Sequence, residues 1–153
     1  MQSIYHSDIV DYSFQIHVIN NFDNARLPTH LMRHFGITLF VIENTVRPDY
    51  STGHLARDWN TGLVQGFRDL DQPASRVVVL LQTDTEVSPR FASKLNDLHF
   101  KQGLEFIQEG AGDEFQSFRP EVVQRVGLYD ERYCGIYHQE DDYFLRIVNE
   151  YMD

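Results

Sequence analysis

The 153-residue sequence predicts an α/β domain: a mostly parallel sheet flanked by helices, Rossmann-like in order, with a small mixed part at the C-terminal end. Three observations predict it. In the first hundred or so residues, short apolar runs alternate with helical patterns, the order that gives parallel strands joined by right-handed crossovers. Each run stops at a short polar loop, and in such sheets ligands collect at the carboxyl ends of the strands. After that the order changes to short strand-like pieces around glycines, followed by helical segments.

Phe14 to Ile19 reads as the first strand and ends in the polar cluster Asn20-Asn21-Phe-Asp23-Asn24. Leu27 to Phe35, closed by Gly36, reads as a short helix. Ile37 to Ile42 is a second strand, apolar enough to be expected buried on both faces, and it ends on Glu43-Asn44-Thr45. From Ala56 onward, Trp59, Leu63, Phe67 and Leu70 recur at three- and four-residue intervals, which sets them on one helix face. Arg76 to Leu81 is the third strand. It stops at Gln82-Thr83-Asp84-Thr85-Glu86, after which Ser88-Pro89 offers an N-cap and a proline at the first helical position.

In the C-terminal third, Gly103-Leu-Glu-Phe-Ile and Phe115-Gln-Ser-Phe read as short strands around Gly110-Ala-Gly112. Pro120 to Val126 reads as a helical turn capped by Gly127. The last helix carries Phe144, Ile147, Val148 and Tyr151 at the spacing of an amphipathic stripe. No repeat or linker interrupts the chain, and its length suits one compact domain, residues 1–153.

Composition narrows the function. Thirteen Lys and Arg against twenty-three Asp and Glu leave a formal charge of −10, which opposes non-specific binding to nucleic acid or anionic lipid. A phosphate-bearing ligand would need local help against that field, and a metal ion is the obvious source. The longest apolar run, Val77 to Leu81, is far shorter than a bilayer span, so no membrane segment is expected. The N-terminus lacks the blocks of a signal peptide, and a single cysteine, Cys134, fits a reducing, cytoplasmic compartment.

Three constellations could carry chemistry. Asp84 stands at the end of a buried strand, where a carboxylate can take Mg²⁺ or Mn²⁺ at fixed geometry; the structural alternative is that Asp84 or Thr85 only shapes the turn. Glu140-Asp141-Asp142 precedes an amphipathic helix. These acids could include a general base, or could simply favour a helix start, with Asp142 and Arg146 as an i, i+4 pair. Gly53 to Gly62 opens a helix and could present Arg57 and Asn60 to phosphate or ribose, whereas Trp59 reads as core. Walker, Gly-x-Gly-x-x-Gly and Gly-x-Ser-x-Gly motifs are absent from the sequence.

In order, these segments resemble glycosyltransferase family 2 and its GT-A relatives, from about Phe14 to Arg146. Val41-Ile-Glu43-Asn44-Thr45 resembles the Val-Asp-Asn-x-Ser element whose acid reaches the nucleoside. The segment ending Trp59-Asn60-Thr-Gly62-Leu resembles the one beneath the diphosphate. Leu81-Gln-Thr-Asp84-Thr-Glu-Val-Ser-Pro89 is similar to the Asp-x-Asp region of rhamnosyltransferase-like members. Phe118 to Tyr133 resembles the Arg-x-x-x-x-x-x-Val-Gly-x-Phe-Asp-Glu-x-Phe block, and Glu140-Asp141-Asp142-Tyr-Phe-Leu-Arg146 the Glu-Asp-x-Asp-x-x-x-Arg signature.

The resemblance implies a GT-A fold and an inverting, metal-assisted sugar transfer. The donor would be a nucleotide-diphosphate sugar, UDP- or dTDP-linked as a first guess, and the acceptor a glycan or other hydroxyl compound. It implies that Asn20, Glu43, Arg57, Asn60, Gln82 and Thr83 contact the nucleotide-sugar, that Asp84 holds Mn²⁺ or Mg²⁺, and that Asp141 or Glu140 is the base. Three departures stand out. Gln82 replaces the first Asp of Asp-x-Asp, which leaves a catalytically silent nucleotide-sugar-binding module as the competing function. Aligned on Arg146, the signature's Glu-Asp falls on Gln139-Glu140; aligned by identity, it falls on Glu140-Asp141. The chain also stops one helix after the signature, as expected of a minimal enzyme or of one module of a larger protein. Small enzymes of this sort occur in large algal viruses, an origin that would mean the host cytoplasm.

Overall fold

A computed structural model describes residues 2–21, 39–43, 54–110, 114–133 and 136–152. Its elements in chain order are α1 (Gln2–Tyr5), a 3₁₀ turn (Asp8–Asp11), β1 (Ile16–Asn20), β2 (Leu39–Glu43), α2 (His54–Phe67) and β3 (Val78–Leu81). There follow α3 (Phe91–Asn96), a π-helical turn (Asp97–Lys101), β4 (Phe106–Glu109), β5 (Phe115–Phe118), α4 (Pro120–Val126) and α5 (Ile136–Met152). The expected helix at 27–35, the loop residues 22–24 and 44–45, Gly53, Ala111-Gly112 and Cys134 lie outside the described residues. No described helix is long and apolar enough to cross a membrane.

The contacts sort into two compact units, residues 1–47 with 86–97, and residues 48–85 with 98–153. In the first, β1 and β2 pair in parallel, with Ile16 opposite Leu39 and Asn20 opposite Glu43. The expectation that the second strand is buried on both faces is not met, because Phe40 and Val41 are each 38% exposed. Among the described residues the pair forms a two-stranded sheet, in which each strand has one strand neighbour.

The helix start expected at Ser88-Pro89 is also displaced. Ser88 O accepts from Phe91 N at 3.1 Å, and α3 begins at Phe91 with no cap from Arg90. Its first amides are taken by a carboxylate distant in sequence. Asp8 Oδ1 accepts from Ala92 N at 2.8 Å, and Asp8 Oδ2 accepts from Ser93 N at 3.1 Å and from the Ser93 hydroxyl. An acid at this end satisfies orphan N–H groups and meets the positive end of the helix dipole. The Ser93 hydroxyl foremost, and then these amides, hold Asp8 below the ordinary carboxylate range.

In the second unit the mixed α/β character is clear, but the sheet is antiparallel rather than mostly parallel. Its order is β3-β5-β4, with Val78 opposite Phe118 and Phe106 opposite Phe118. Alternation of strand and helix implies parallel neighbours. Here the chain returns through β4 and β5, and β5 becomes the central strand, with all four of its residues buried. The piece expected from Gly103 starts later, at Phe106. Gly103 is at φ +76° and Leu104 N donates back to Leu98 O at 3.1 Å, so these two residues finish the preceding helical turn.

α2 supplies Trp59, Leu63 and Phe67 of the expected stripe, buried in the core with Ala56, whereas Leu70 lies beyond the end of the helix and packs partly buried against that core. Gly62 and Gly66 let it approach the sheet. A Cβ on Gly62 would come within 2.8 Å of Leu80 Cδ2, and one on Gly66 within 2.4 Å of Val78 Cγ2. α5 differs from expectation. Phe144 and Tyr151 are 51% and 42% exposed, while Gln139, Glu140 and Tyr143 face inward and Ile147 packs on the core. Tyr143 stacks on Tyr129, rings 4.0 Å apart and 18° from parallel.

Candidate functional site

The parallel register of β1 and β2 sets Asn20 and Glu43 side by side where both strands end. Asn20 is buried and its Nδ2 donates to Glu43 Oε2 at 2.8 Å, while Glu43 is exposed. These two belong to the first unit; the remaining candidates belong to the second.

Beyond β3 the chain turns sharply. Gln82 N donates to Glu114 O at 3.2 Å, Thr85 N to Gln82 O at 3.2 Å, and Thr85 Oγ1 to Glu114 O at 2.8 Å. The turn is therefore pinned to the residue that leads into β5, with Thr83 and Asp84 exposed at its tip. Among the described residues no group of three His, Cys, Asp or Glu could hold a metal between them. Asp84 presents one exposed carboxylate in this turn. Mg²⁺ usually keeps several waters and binds through one or two carboxylates plus substrate phosphates, so this donor chemistry fits such an ion shared with a diphosphate.

Arg57 lies half-buried in the first turn of α2, and its carbonyl accepts from Thr61 Oγ1 at 2.8 Å. Asn60, one turn on, is buried, and every polar atom of its side chain is engaged by one loop. Nδ2 donates to Tyr129 O at 3.0 Å and to Glu131 Oε1 at 2.8 Å, while Oδ1 accepts from Tyr129 N at 2.8 Å. The same loop is held from α5. Gln139 Nε2 donates to Tyr133 O at 2.6 Å, and its Oε1 accepts from Ala56 N at 3.0 Å, satisfying a free amide at the start of α2. Tyr143 donates to Gly127 O at 3.0 Å, and Arg146 Nη1 to the carbonyls of Val126 and Leu128 at 2.8 and 3.0 Å.

Tyr129 is the centre of this arrangement. Its hydroxyl donates to Gln116 Oε1 at 2.6 Å, and its ring meets Trp59 and Tyr143. Burial foremost, then Tyr143, holds its phenol well above the ordinary tyrosine range. The Gln116 bond acts in the other direction, and the nearby Glu140 charge adds to the rise.

The acids expected to precede the last helix lie inside it, in the second turn of α5, which begins at Ile136, so they do not serve as a helix start; they separate by direction. Glu140 is 9% exposed and lies on the Tyr129 side, Asp141 is exposed, and Asp142 Oδ2 accepts from Arg146 Nε at 2.9 Å, the expected i, i+4 pair. Gly127 closes α4 as expected, at φ +85° with its N–H on Val123 O. Beyond it Asp130 and Arg132 pair at 2.5 Å, and the Arg132 side chain, then its amide, takes the Asp130 carboxyl down to about 2.

Sequence reasoning did not single out Gln139 or Glu131. The available signal lay in the Arg146-based alignment, which sets Gln139 at the first signature position, and in the Asp130-Glu131 pair of the preceding block. No family model matches this chain, and neither does any curated protein.

Proposed function

We propose that this chain is the catalytic core of a GT-A-type glycosyltransferase, moving a sugar from a UDP- or dTDP-linked donor to a hydroxyl acceptor with inversion. One observation carries the reading. Asn60, Gln139, Tyr143 and Arg146, from two separated motif segments, all fasten the backbone between Val126 and Tyr133, which is the third. Segments that resemble one family's motifs in order are thus physically one unit.

In the reaction the acceptor oxygen attacks the anomeric carbon from the face opposite the leaving group. The bond from that carbon to the diphosphate oxygen breaks, its electron pair leaves with the phosphate, and the hydroxyl proton passes to a carboxylate. The base is Asp141, the exposed acid of α5, or its buried neighbour Glu140. Arg57, Gln82 and Thr83 face the diphosphate and sugar, and Asn60 contributes by holding the loop. A divalent ion on Asp84 would offset the charge that grows on the leaving diphosphate.

The test is metal-dependent hydrolysis of nucleotide-sugars, followed with Mn²⁺ and with chelator for the parent, Asp84→Ala, Glu140→Gln and Asp141→Asn. Asp84→Ala should lose the Mn²⁺ dependence. Removing the true base should slow turnover on the order of a hundred- to ten-thousand-fold while donor binding stays. A parent that binds nucleotide-sugars but never cleaves or transfers them is the silent binding module. A parent that binds none of them refutes both readings.

A further inference from the structure

Most of the apolar stripe that the spacing of α5 sets up faces out of the protein. Gln139, Glu140, Tyr143 and Ile147 take the inward side, which leaves Phe144, Leu145, Val148, Tyr151 and Met152 on the other. Val148 is half-buried and the other four are exposed, Leu145 to 59%. The far end of the helix is fastened. The Tyr151 hydroxyl donates to Glu105 Oε2, which also pairs with Arg125, and the Arg125 guanidinium lies over the Tyr151 ring at 5.1 Å. Single exposed apolar side chains are ordinary, but a contiguous exposed stripe marks a binding surface.

This stripe runs up to Asp141. Phe144, Leu145 and Val148 follow it at i+3, i+4 and i+7, so they share its helix face, and Asp141 is exposed with them. The residues three and four places from Asp141 on its own helix are Tyr137, His138, Phe144 and Leu145, none of them Lys or Arg. Asp142 differs, with Arg146 one turn on and paired to it. Asp141 thus meets apolar surface where its neighbour meets a cation. The charge of −10 opposes both a second copy and an anionic lipid surface as the cover for this face. What fits is a neutral molecule with two parts, a hydroxyl for the acid and an apolar group for the stripe.

We infer that the outer face of α5 is the acceptor platform, and that the acceptor is a neutral glycoside with an alkyl or aryl aglycone. The aglycone lies along Phe144, Leu145 and Val148, and the attacking hydroxyl stands at Asp141. This rests on the glycosyltransferase reading, with Asp141 as its base, and adds the acceptor class and the residues that select it. The displacement itself is unchanged. An aglycone on the stripe also keeps water from the acid, and water is the nucleophile that would otherwise consume the donor.

The test is transfer with Mn²⁺ from UDP-glucose, UDP-galactose and dTDP-rhamnose onto methyl and octyl glucosides and galactosides, the octyl compounds kept below their micelle concentration. In the parent the octyl compound should have a KM lower than its methyl counterpart by about tenfold or more, since each methylene withdrawn from water adds to binding. Phe144→Gln and Leu145→Gln change exposed helix positions that glutamine suits, and each should raise the octyl KM about fivefold toward the methyl value. Val64→Gln, at an exposed apolar position on α2, should keep the parental preference. Equal KM values in the parent, or an octyl preference that both stripe variants retain, overturn the inference and leave the glycosyltransferase reading standing. Donor hydrolysis without transfer to any octyl glycoside does the same. A parent that sediments as a dimer while Leu145→Gln sediments as a monomer makes the stripe a contact between copies and also overturns it. A parent that neither cleaves nor transfers from any of the three donors overturns the glycosyltransferase reading and this inference with it, a failure visible in the parent alone.

Discussion

Asn60 and Gln139 are the residue types that a motif reading hands to a ligand, yet each is used inside the protein. A primary amide carries donors and an acceptor together, so it can take a backbone N–H and a backbone C=O at one residue, as Asn60 does at Tyr129. Buried polar groups need such partners. Asn60→Ala would leave the Tyr129 amide and carbonyl without theirs, each costing about 1–3 kcal/mol when buried. Urea denaturation should therefore show a loss on the order of 2–4 kcal/mol, with some relief if water enters. A loss within about 0.5 kcal/mol, the range of ordinary surface changes, would mean the loop is held by Gln139 and Arg146 instead.

At the scale of elements, α2 was legible because its apolar spacing and its buried face coincide: Ala56, Trp59, Leu63 and Phe67 are all core. α5 was not, because periodicity counts apolar side chains and its inward face is led by Gln139, held by hydrogen bonds to Ala56 and Tyr133, and by Glu140. The cap of α3 was illegible for another reason. Its acid, Asp8, lies more than eighty residues away in the chain. Antiparallel pairing of β3 with β5 was equally hidden, since the alternation that implies parallel neighbours does not show that a later strand, returning after β4, takes the place beside β3. Of the site, the Asp142–Arg146 pair and the Gly127 cap were readable locally, whereas the loop clamp depends on contacts across the fold.

Gly66 gives this scale a prediction in which two effects compete. Alanine is better than glycine inside a helix by about 0.8–1 kcal/mol, so propensity alone predicts a gain from Gly66→Ala. Packing predicts a loss, because the new methyl would lie 2.4 Å from Val78 Cγ2, with further Val78 atoms at 3.3 and 3.4 Å. Valine is stiff at χ1 and cannot swing aside cheaply, and overpacking typically costs about 1–3 kcal/mol. The steric cost exceeds the propensity gain, so the variant should melt lower by a few degrees in a calorimetric scan. A rise in Tm would show that α2 can move off β3 at little cost.

Over the whole molecule, pH acts in two opposed ways. The formal charge of −10 at pH 7 makes the compact chain repel itself, and falling pH relieves this as histidines and then carboxylates take protons. His99 works against that trend. It is fully buried, with Nδ1 2.6 Å from Leu104 O and Nε2 2.6 Å from Ser117 Oγ. Desolvation foremost holds its pKa below the ordinary 6.5; the Leu104 carbonyl and Glu121 act upward, and Arg119 downward. Once pH drops below about 6.5 the unfolded chain binds this proton and the folded chain does not, so stability present above 6.5 is lost as pH falls through the folded value. The slope from one such group has a ceiling of about 1.4 kcal/mol per pH unit. His99→Gln keeps a donor and an acceptor in place but cannot titrate, and it leaves the overall charge repulsion nearly unchanged. Urea unfolding of parent and variant from pH 8 to pH 5 at constant ionic strength isolates the His99 contribution as their difference. That difference should be flat above about pH 7 and should shift in the variant's favour below 6.5. A difference independent of pH would mean that His99 takes its proton as readily in the folded protein as in the unfolded chain, and that the Leu104–His99–Ser117 contact tolerates a charge.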